Sequence, residues 1–429
     1  MKNRSNRFLA LLLMVLGSTF ATVVAQVPDA GLIRCASTER DSLRVLKNPA
    51  LLRQRRQSEE LIQNHIRARK ASRTSADEII TIPVVVHVVH GQENQRIGGP
   101  NNANITDAQV ASQIDVLNED YGNNSGYKGF YTDSLGVDTG IRFKLVKIVR
   151  TYNAKTQFSP VSDADELAEI SPAWSTNRYL NIWVCRLNDR YLGTSQFPVV
   201  TQITNRTAGL ATSEDEARDA LTDGVIIDFR YFGRNSDAIT SRIYNLGRTT
   251  THEVGHWLGL IHIWGDQNCG TDHCDDTPTA FTKNETTDTE CTPVFSNCRG
   301  VITRNMIENY MDYSPDVCMS VFTNDQKARM HAVMELSPRR AKLVEFSKIT
   351  TEDLMVTLYP NPVQEVLFSN IYTPNFEVFT VTVYNQKGQK IFGETPNRTS
   401  LNVKNLPSGI YFYKVQTASR TITKRFYVR

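Results

Sequence analysis

The sequence predicts an α/β domain followed by a small all-β domain, and three observations carry that expectation. First, from Ile79 onward β-branched runs alternate with helical patterns. Ile79 to Val89 reads as a strand, Thr106-Asp107 opens a helix through Val110, Ile114 and Leu117, and strands follow at Ile141 to Val149, Leu180 to Cys185 and Gly224 to Tyr231. Second, a helix from about Thr249 to Leu258 carries a histidine cluster. Third, beyond a boundary near Ser347 to Asp353 short strands succeed one another, at Leu354 to Tyr359, Phe376 to Tyr384, Gly409 to Val415 and Ile422 to Val428. Pro360-Asn361-Pro362, Lys387-Gly388 and Pro407-Ser408-Gly409 punctuate them, as in a small sandwich.

The 429 residues are 40% hydrophobic, enough for one sizeable core and a smaller accessory domain. A net charge of +3 without a long basic stripe implies no nucleic-acid partner. Residues 1–25 read as a signal peptide: Lys2, Arg4 and Arg7 are followed by an apolar run from Phe8 to Leu16 and a cleavage site at Val23-Val24-Ala25. No other stretch is long and apolar enough to span a bilayer, so a mature form without a transmembrane segment is expected. Export permits disulfides, and five of the seven cysteines crowd between Cys269 and Cys318.

Residues 26–77 differ in composition from the α/β domain. Arg53, Arg55, Arg56, Arg67, Arg69, Lys70 and Arg73 make them basic, and Ser42 to Ala71 reads as a mostly polar helix. Ala71-Ser72-Arg73-Thr74-Ser75 reads as an exposed hinge with trypsin-like cleavage points, so the expectation is a removable pro-segment rather than a simple flexible arm.

The stretch His252-Glu253-Val254-Gly255-His256-Trp257-Leu258-Gly259-Leu260-Ile261-His262 carries most of the chemistry. His252 and His256 stand four apart, so on a helix their imidazoles share a face and can share a metal. Glu253, next to the first ligand, is placed to reach the attacking water rather than the metal. Gly259 can take a left-handed conformation that ends the helix and brings His262 back as a third ligand. Three nitrogen donors and an open fourth position suit catalytic Zn2+ rather than a closed structural site. His87 and His90, in the first strand, face opposite ways and read as structural, and His273 and His331 have no partner pattern.

This longer pattern resembles the metzincin metallopeptidases, which add a methionine-containing turn below the metal; Asn309-Tyr310-Met311-Asp312-Tyr313 looks like that turn. Leu180 to Val184, Asp223 to Asp228, Tyr244 to Arg248, His262 to Asp266 and Glu308 to Met330 sharpen the resemblance to the pappalysin family, over residues 78–343, with bacterial secreted members nearest. The resemblance implies an α/β (α+β) zinc peptidase domain with a mixed sheet and an active-site helix. It also implies a latent, secreted, monomeric endopeptidase acting on protein substrates, with Glu253 as general base, Met311 as the apolar floor and Tyr313 stabilising the oxyanion.

Arg34-Cys35 resembles the cysteine-switch element of related zymogens, with Cys35 as a zinc ligand in the latent form. Family members bridge the loops around the cleft, which implies Cys269–Cys298 and Cys291–Cys318; Cys274 competes for the first pairing, and Cys185 is left to whichever remains. The loop Thr271 to Thr277 corresponds to one that binds structural Ca2+ in relatives, with Asp272, Asp275, Asp276 and Thr277 as oxygen donors. Relatives that cut before Lys or Arg carry an acidic residue immediately ahead of the cysteine after the methionine turn. Val317 stands there, with Asp316 one further back, so a less basic, apolar pocket is expected.

Residues 351–429 resemble a type A sorting domain of the type IX secretion system. Tyr359-Pro360-Asn361-Pro362-Val363, Val383 to Gln389 and Leu406 to Tyr411 carry the likeness, and Lys424 and Arg425 sit in its last strand. It implies an immunoglobulin-like sandwich, the export machinery as partner, and delivery through Sec and then type IX to the surface of a Gram-negative cell or the medium. The rival reading is an adhesin on an inactive peptidase fold, against which stands the retention of Glu253 and all three histidines.

Overall fold

The computed structural model describes residues 31–72, 79–124, 136–188, 190–200, 219–348 and 353–429. The expected signal peptide and residues 73–75 of the hinge lie outside the described residues.

The N-terminal segment forms β1 (Ile33–Cys35), α1 (Ser37–Lys47) and α2 (Ala50–Ser72). The single helix expected from Ser42 is thus two. Pro49 disfavours helical geometry in the residue before it, and Asn48 accordingly leaves the helix at φ −139°, ψ 88°. After it come β2 (Ile80–His90), α3 (Asp107–Tyr121), β3 (Ile141–Tyr152), α4 (Ala164–Ile170), β4 (Leu180–Cys185), β5 (Tyr191–Ser195) and β6 (Gly224–Asp228). The expected strand through Tyr231 stops at Asp228, whose side chain accepts from the Arg230 amide and turns the chain into a short 3-10 helix.

Among the described residues the main sheet has the order β1-β5-β6-β4-β2-β3. β6, β4, β2 and β3 run parallel; β5 is antiparallel to β6, and β1 lies parallel to β5 at the edge. The sheet is mixed. β2, β4 and β6 are buried almost throughout, which is why they read as continuous β-branched runs rather than alternating ones. Pro83 is tolerated inside β2 because the pairing with β4 begins only at Val84, next to a bulge against β3.

The helix α5 (Arg248–Trp257) comes next, with all ten of its residues buried. It packs against β5, β6 and α3. A hairpin of β7 (Phe295–Cys298) and β8 (Val301–Arg304) leads to α6 (Asn324–Leu336), opened by a capping box between Thr323 and Gln326, and to α7 (Pro338–Lys348). The remaining strands are β9 (Met355–Tyr359), β10 (Val366–Tyr372), β11 (Thr380–Asn385), β12 (Lys390–Pro396), β13 (Ser400–Asn402), β14 (Gly409–Gln416) and β15 (Thr421–Val428). They form two sheets, β13-β10-β9 and β12-β11-β14-β15, and one core draws on both through Val356, Leu367, Ile371, Val383, Tyr413 and Phe426.

One buried polar cluster fixes the far end of α5. Asp223, just before β6, accepts from both terminal nitrogens of Arg340 at 2.7 and 2.8 Å, from Arg339 Nε, and from Trp257 Nε1 at 2.9 Å. The Arg340 guanidinium lies 3.7 Å over the Trp257 ring. Burial opposes the charge on Asp223, but Arg340 and Arg339 overcome it and hold the carboxyl well below its ordinary pKa. A depressed pKa gives stability that is complete above the unfolded value of about 3.9 and is lost as pH falls towards the folded one. Asp223→Asn leaves the buried Arg340 guanidinium short of its counter-charge, so a loss of about 3–5 kcal/mol is expected. Denaturant titration at neutral pH measures it, and the gap between variant and wild type should shrink below pH 4.

Candidate metal centre

The three histidines meet at one point. Their Nε2 atoms lie 3.1, 3.1 and 3.2 Å from one another. Each Nδ1 faces away and has its own acceptor: His252 the Tyr310 carbonyl at 2.8 Å, His256 the Leu260 carbonyl at 2.8 Å, and His262 the Asp266 carboxylate at 2.5 Å. These outward bonds assign the ring protons to Nδ1, so three lone pairs converge. Burial, and then the neighbouring histidines, push the His252 pKa down, and the same two causes bring His256 to about 3, so both rings are neutral. Three converging acceptors repel unless a cation lies among them. Tetrahedral zinc with Zn–N near 2.0–2.1 Å sets such nitrogens about 3.3 Å apart, so the donor set fits zinc.

The local sequence explains the convergence. α5 puts His252 and His256 on one face, and Gly259 turns the chain at φ +90°, where a Cβ would stand 2.6 Å from Val333. A Cβ on Gly255, between the two helical ligands, would stand 2.5 Å from Met311 Sδ, so the methionine packs directly beneath the helix. The Trp264 ring stacks on His262 at 4.3 Å, and the Tyr313 ring stands edge-on to His262 at 5.1 Å.

Cys35 is the fourth member: its Sγ and one nitrogen of each histidine all lie within 4.8 Å of one another. Burial, then the Glu253 carboxylate, push its thiol pKa up and outweigh the Ser37 hydrogen bonds that favour the thiolate, which a cation in the cluster would favour further. β1 delivers this residue by pairing with β5, Cys35 opposite Gly193. The residues around it engage the rest of the site. Arg34, fully buried, donates to Asp316 Oδ1 at 2.7 Å and to the Ser314 carbonyl at 2.8 Å. Ser37 Oγ donates to Glu253 Oε2 at 2.8 Å and accepts from the Ser195 amide at 2.8 Å. The Tyr313 hydroxyl donates to the Cys35 carbonyl at 3.3 Å. Burial lifts the Glu253 carboxyl to about 7, and burial, then Cys35, push the Tyr313 phenol up, so Tyr313 remains a hydrogen-bond donor.

The cysteine-rich loops are closed by Cys269–Cys298 and Cys291–Cys318, while Cys274 and Cys185 are buried free thiols, so neither competes for a bond here. The calcium expectation is not supported. Asp272 Oδ1 accepts from the Cys274 amide and from Thr277 Oγ1; Asp276 accepts from Thr323 Oγ1 and the Asp325 amide at the start of α6; Asp275 is exposed. Asp272 Oδ1 and the Asp276 carboxylate hold the loop and the helix end, Asp272 Oδ2 is buried without a partner, and among the described residues the grouping of donors fit for a metal is Cys35 with the three histidines. His87 is structural: it bonds Ser171 and Asn181, and burial lowers it to about 4.

Known proteins resemble this chain. Residues 165–335 match the family described as "Pregnancy-associated plasma protein-A", and residues 357–429 match "Secretion system C-terminal sorting domain". An extracellular metalloprotease of Verticillium alfalfae is 30% identical over 278 residues, 64% of this chain and 83% of that protein. The chain belongs to the pappalysin family of metallopeptidases. One from Uncinocarpus reesii is 31% identical over 268 residues, 62% of this chain and 80% of that protein. Among solved structures, Tannerella forsythia mature mirolysin in complex with a cleaved peptide is 35% identical with a TM-score of 0.54, covering 65% of this chain and 100% of that one. A promirolysin mutant of the same organism is 33% identical with a TM-score of 0.55, covering 73% and 97%. The pappalysin is therefore a secreted metalloprotease, and the adhesin alternative is not favoured. No helix among the described residues is long and apolar enough to cross a membrane.

Three residues of the site escape sequence reasoning. Asp266 stands four beyond His262, a spacing that could have marked it as that ring's partner. Ser37 and Asp316 carried no such signal, since each acts across more than 200 residues of chain, on Glu253 and Arg34 respectively.

Proposed function

We propose that the chain is a zinc endopeptidase held latent by its own residues 26–77, with residues 78–343 as the peptidase domain and 351–429 as the sorting domain. The observation that carries the reading is Cys35 Sγ at the point where His252, His256 and His262 converge. Those four residues would hold a zinc ion in the latent state, and the three histidines would hold it once Cys35 leaves. A bound zinc supplies Lewis-acid chemistry, lowering the pKa of a water and polarising the scissile carbonyl. Glu253, freed of Ser37, takes the proton of the attacking water and returns it to the leaving amine. Tyr313, freed of the Cys35 carbonyl, donates to the oxyanion. Met311 supports the helix from below. The two C-terminal sheets support an immunoglobulin-like sandwich for the export machinery, and a monomer is the expected working unit.

The pocket beside the metal reads differently from the apolar one expected on Val317. Asp316 opens a short 3-10 turn, Asp316–Cys318, and it is this carboxylate that meets Arg34 at the end of the cleft. Its other oxygen accepts from the Leu246 and Arg248 amides near the start of α5, which fixes its position. Tyr244 supplies an aromatic face 4.7 Å from the Arg34 guanidinium. We read this as a pocket for a basic substrate side chain, with Arg34 occupying it in the latent form. Cleavage of a proteome-derived peptide library by the activated enzyme should show cuts before Arg and Lys. Asp316→Asn should lower kcat/KM for those peptides by about ten- to a hundredfold, the loss of one charge-assisted hydrogen bond. Dominant cuts before apolar residues in the wild type contradict this reading.

A further inference from the structure

We propose that Arg329 is a carboxylate-binding subsite of the activated enzyme, taking an acidic side chain of the polypeptide substrate outside the scissile pair. The proposal rests on the reading of residues 26–77 as a removable pro-segment. Arg329 lies on α6 with its side chain 5% exposed. Its Nε donates to the Gly259 carbonyl at 2.7 Å, which fixes the plane of the guanidinium. Both terminal nitrogens then face α2 and donate to the two oxygens of Glu59, each at 2.7 Å. His273 Nδ1 stands 3.9 Å from the same carboxylate. This is the fork geometry by which arginine selects carboxylates.

The fork opens on the catalytic cleft. Arg329 and Glu59 line a cavity of about 540 Å³ whose peptidase wall also includes Phe197, Val200, Ile261 and Asp266. Phe197 stands edge-on to the ligand His256 at 5.1 Å, Asp266 holds the ligand His262, and Gly259 is the turn between those two histidines. The opposite wall, with Asp41, Arg55, Ser58, Glu59 and Ile62, belongs to the N-terminal segment. A purely structural ion pair would have both partners in the permanent fold. Here the acid leaves with the segment, whereas the Gly259 carbonyl that aims the guanidinium stays. Asp272 also acts on Arg329 through its charge; its Oδ1 is engaged by Thr277 and the Cys274 amide and its buried Oδ2 has no hydrogen-bond partner, so the fork itself is held by Glu59 alone. What remains is a trough with Phe197, Val200 and Ile261 as its apolar wall, Asp266 engaged by His262, and Arg329 beside His273 as its cationic side, suited to an acidic residue with an apolar neighbour. Glu59 and the buried Ile62, one helical turn apart, line it in the latent state.

The test uses enzyme activated by proteolysis and freed of residues 26–77, as verified by mass spectrometry. Library cleavage is followed by kcat/KM for peptide pairs differing only in Glu or Gln at the enriched position. The wild type should prefer Glu by about tenfold, and less so at high salt. The Glu/Gln ratio should approach one in Arg329→Gln and recover in part in Arg329→Lys; a ratio taken within each variant is unaffected by a general loss of activity. A wild type with no position favouring Glu and Asp over their amides overturns the proposal, as does an undiminished ratio in Arg329→Gln. An enzyme freed of the segment yet inactive contradicts the pro-segment reading, and the proposal with it.

Discussion

Cys35→Ser in the full chain is expected to raise hydrolysis of a denatured protein by about a hundredfold over the intact wild type. The size comes from the ligand count. Four-ligand structural zinc sites are worth about 10–16 kcal/mol at neutral pH, so one thiolate is worth roughly 3 kcal/mol, or about a hundredfold in the population of the open site. Serine keeps the shape but is a poor zinc ligand. The remaining contacts, Arg34 with Asp316, Ser37 with Glu253 and Glu59 with Arg329, keep the segment docked, so release is faster rather than immediate. Activity and loss of the segment should be followed together, the latter by mass spectrometry. Unchanged latency in the serine variant sinks the assigned role of Cys35.

The second large effect belongs to Glu253. Glu253→Gln keeps the volume and can still accept from Ser37, but it cannot take a proton. The activated variant should lose about 10²–10⁴ in kcat, the range for a positioned general base, while zinc content and KM stay near wild type. Activity within tenfold of wild type, on matched zinc content, overturns the assignment. The burial that lifts this carboxyl to about 7 in the latent form also explains why it must be paired there. In an enclosed site, Ser37 Oγ gives Oε2 the partner that solvent cannot.

The local parts of the site are legible in the sequence because their spacing is geometry. His252 and His256 share a helical face whatever surrounds them, and Gly259 can hold φ +90° without strain. Long β-branched strands such as Ile80–His90 are equally plain, since burial on both faces demands that composition. Shorter or more polar strands are not: β1 has three residues, and β5 is Tyr-Leu-Gly-Thr-Ser. What makes β1 a strand is the unpaired edge of β5, a fact of the tertiary fold. The same holds for Asp316. Counting back from Cys318 selects Val317, but the 3-10 turn rotates successive side chains, and the preceding residue is the one that meets Arg34. The calcium expectation lacks support for a related reason. Oxygen-rich composition is visible in sequence, whereas the use of Asp276 to cap α6 is not.

The proposed mechanism turns on one metal centre with two coordination states, and X-ray absorption at the zinc edge tests it most directly. The intact chain should show three nitrogen ligands near 2.0 Å and one sulfur near 2.3 Å. After removal of residues 26–77 the sulfur should be gone and the three nitrogens retained. An intact chain without a sulfur ligand, or an activated one that keeps it, contradicts the two-state centre.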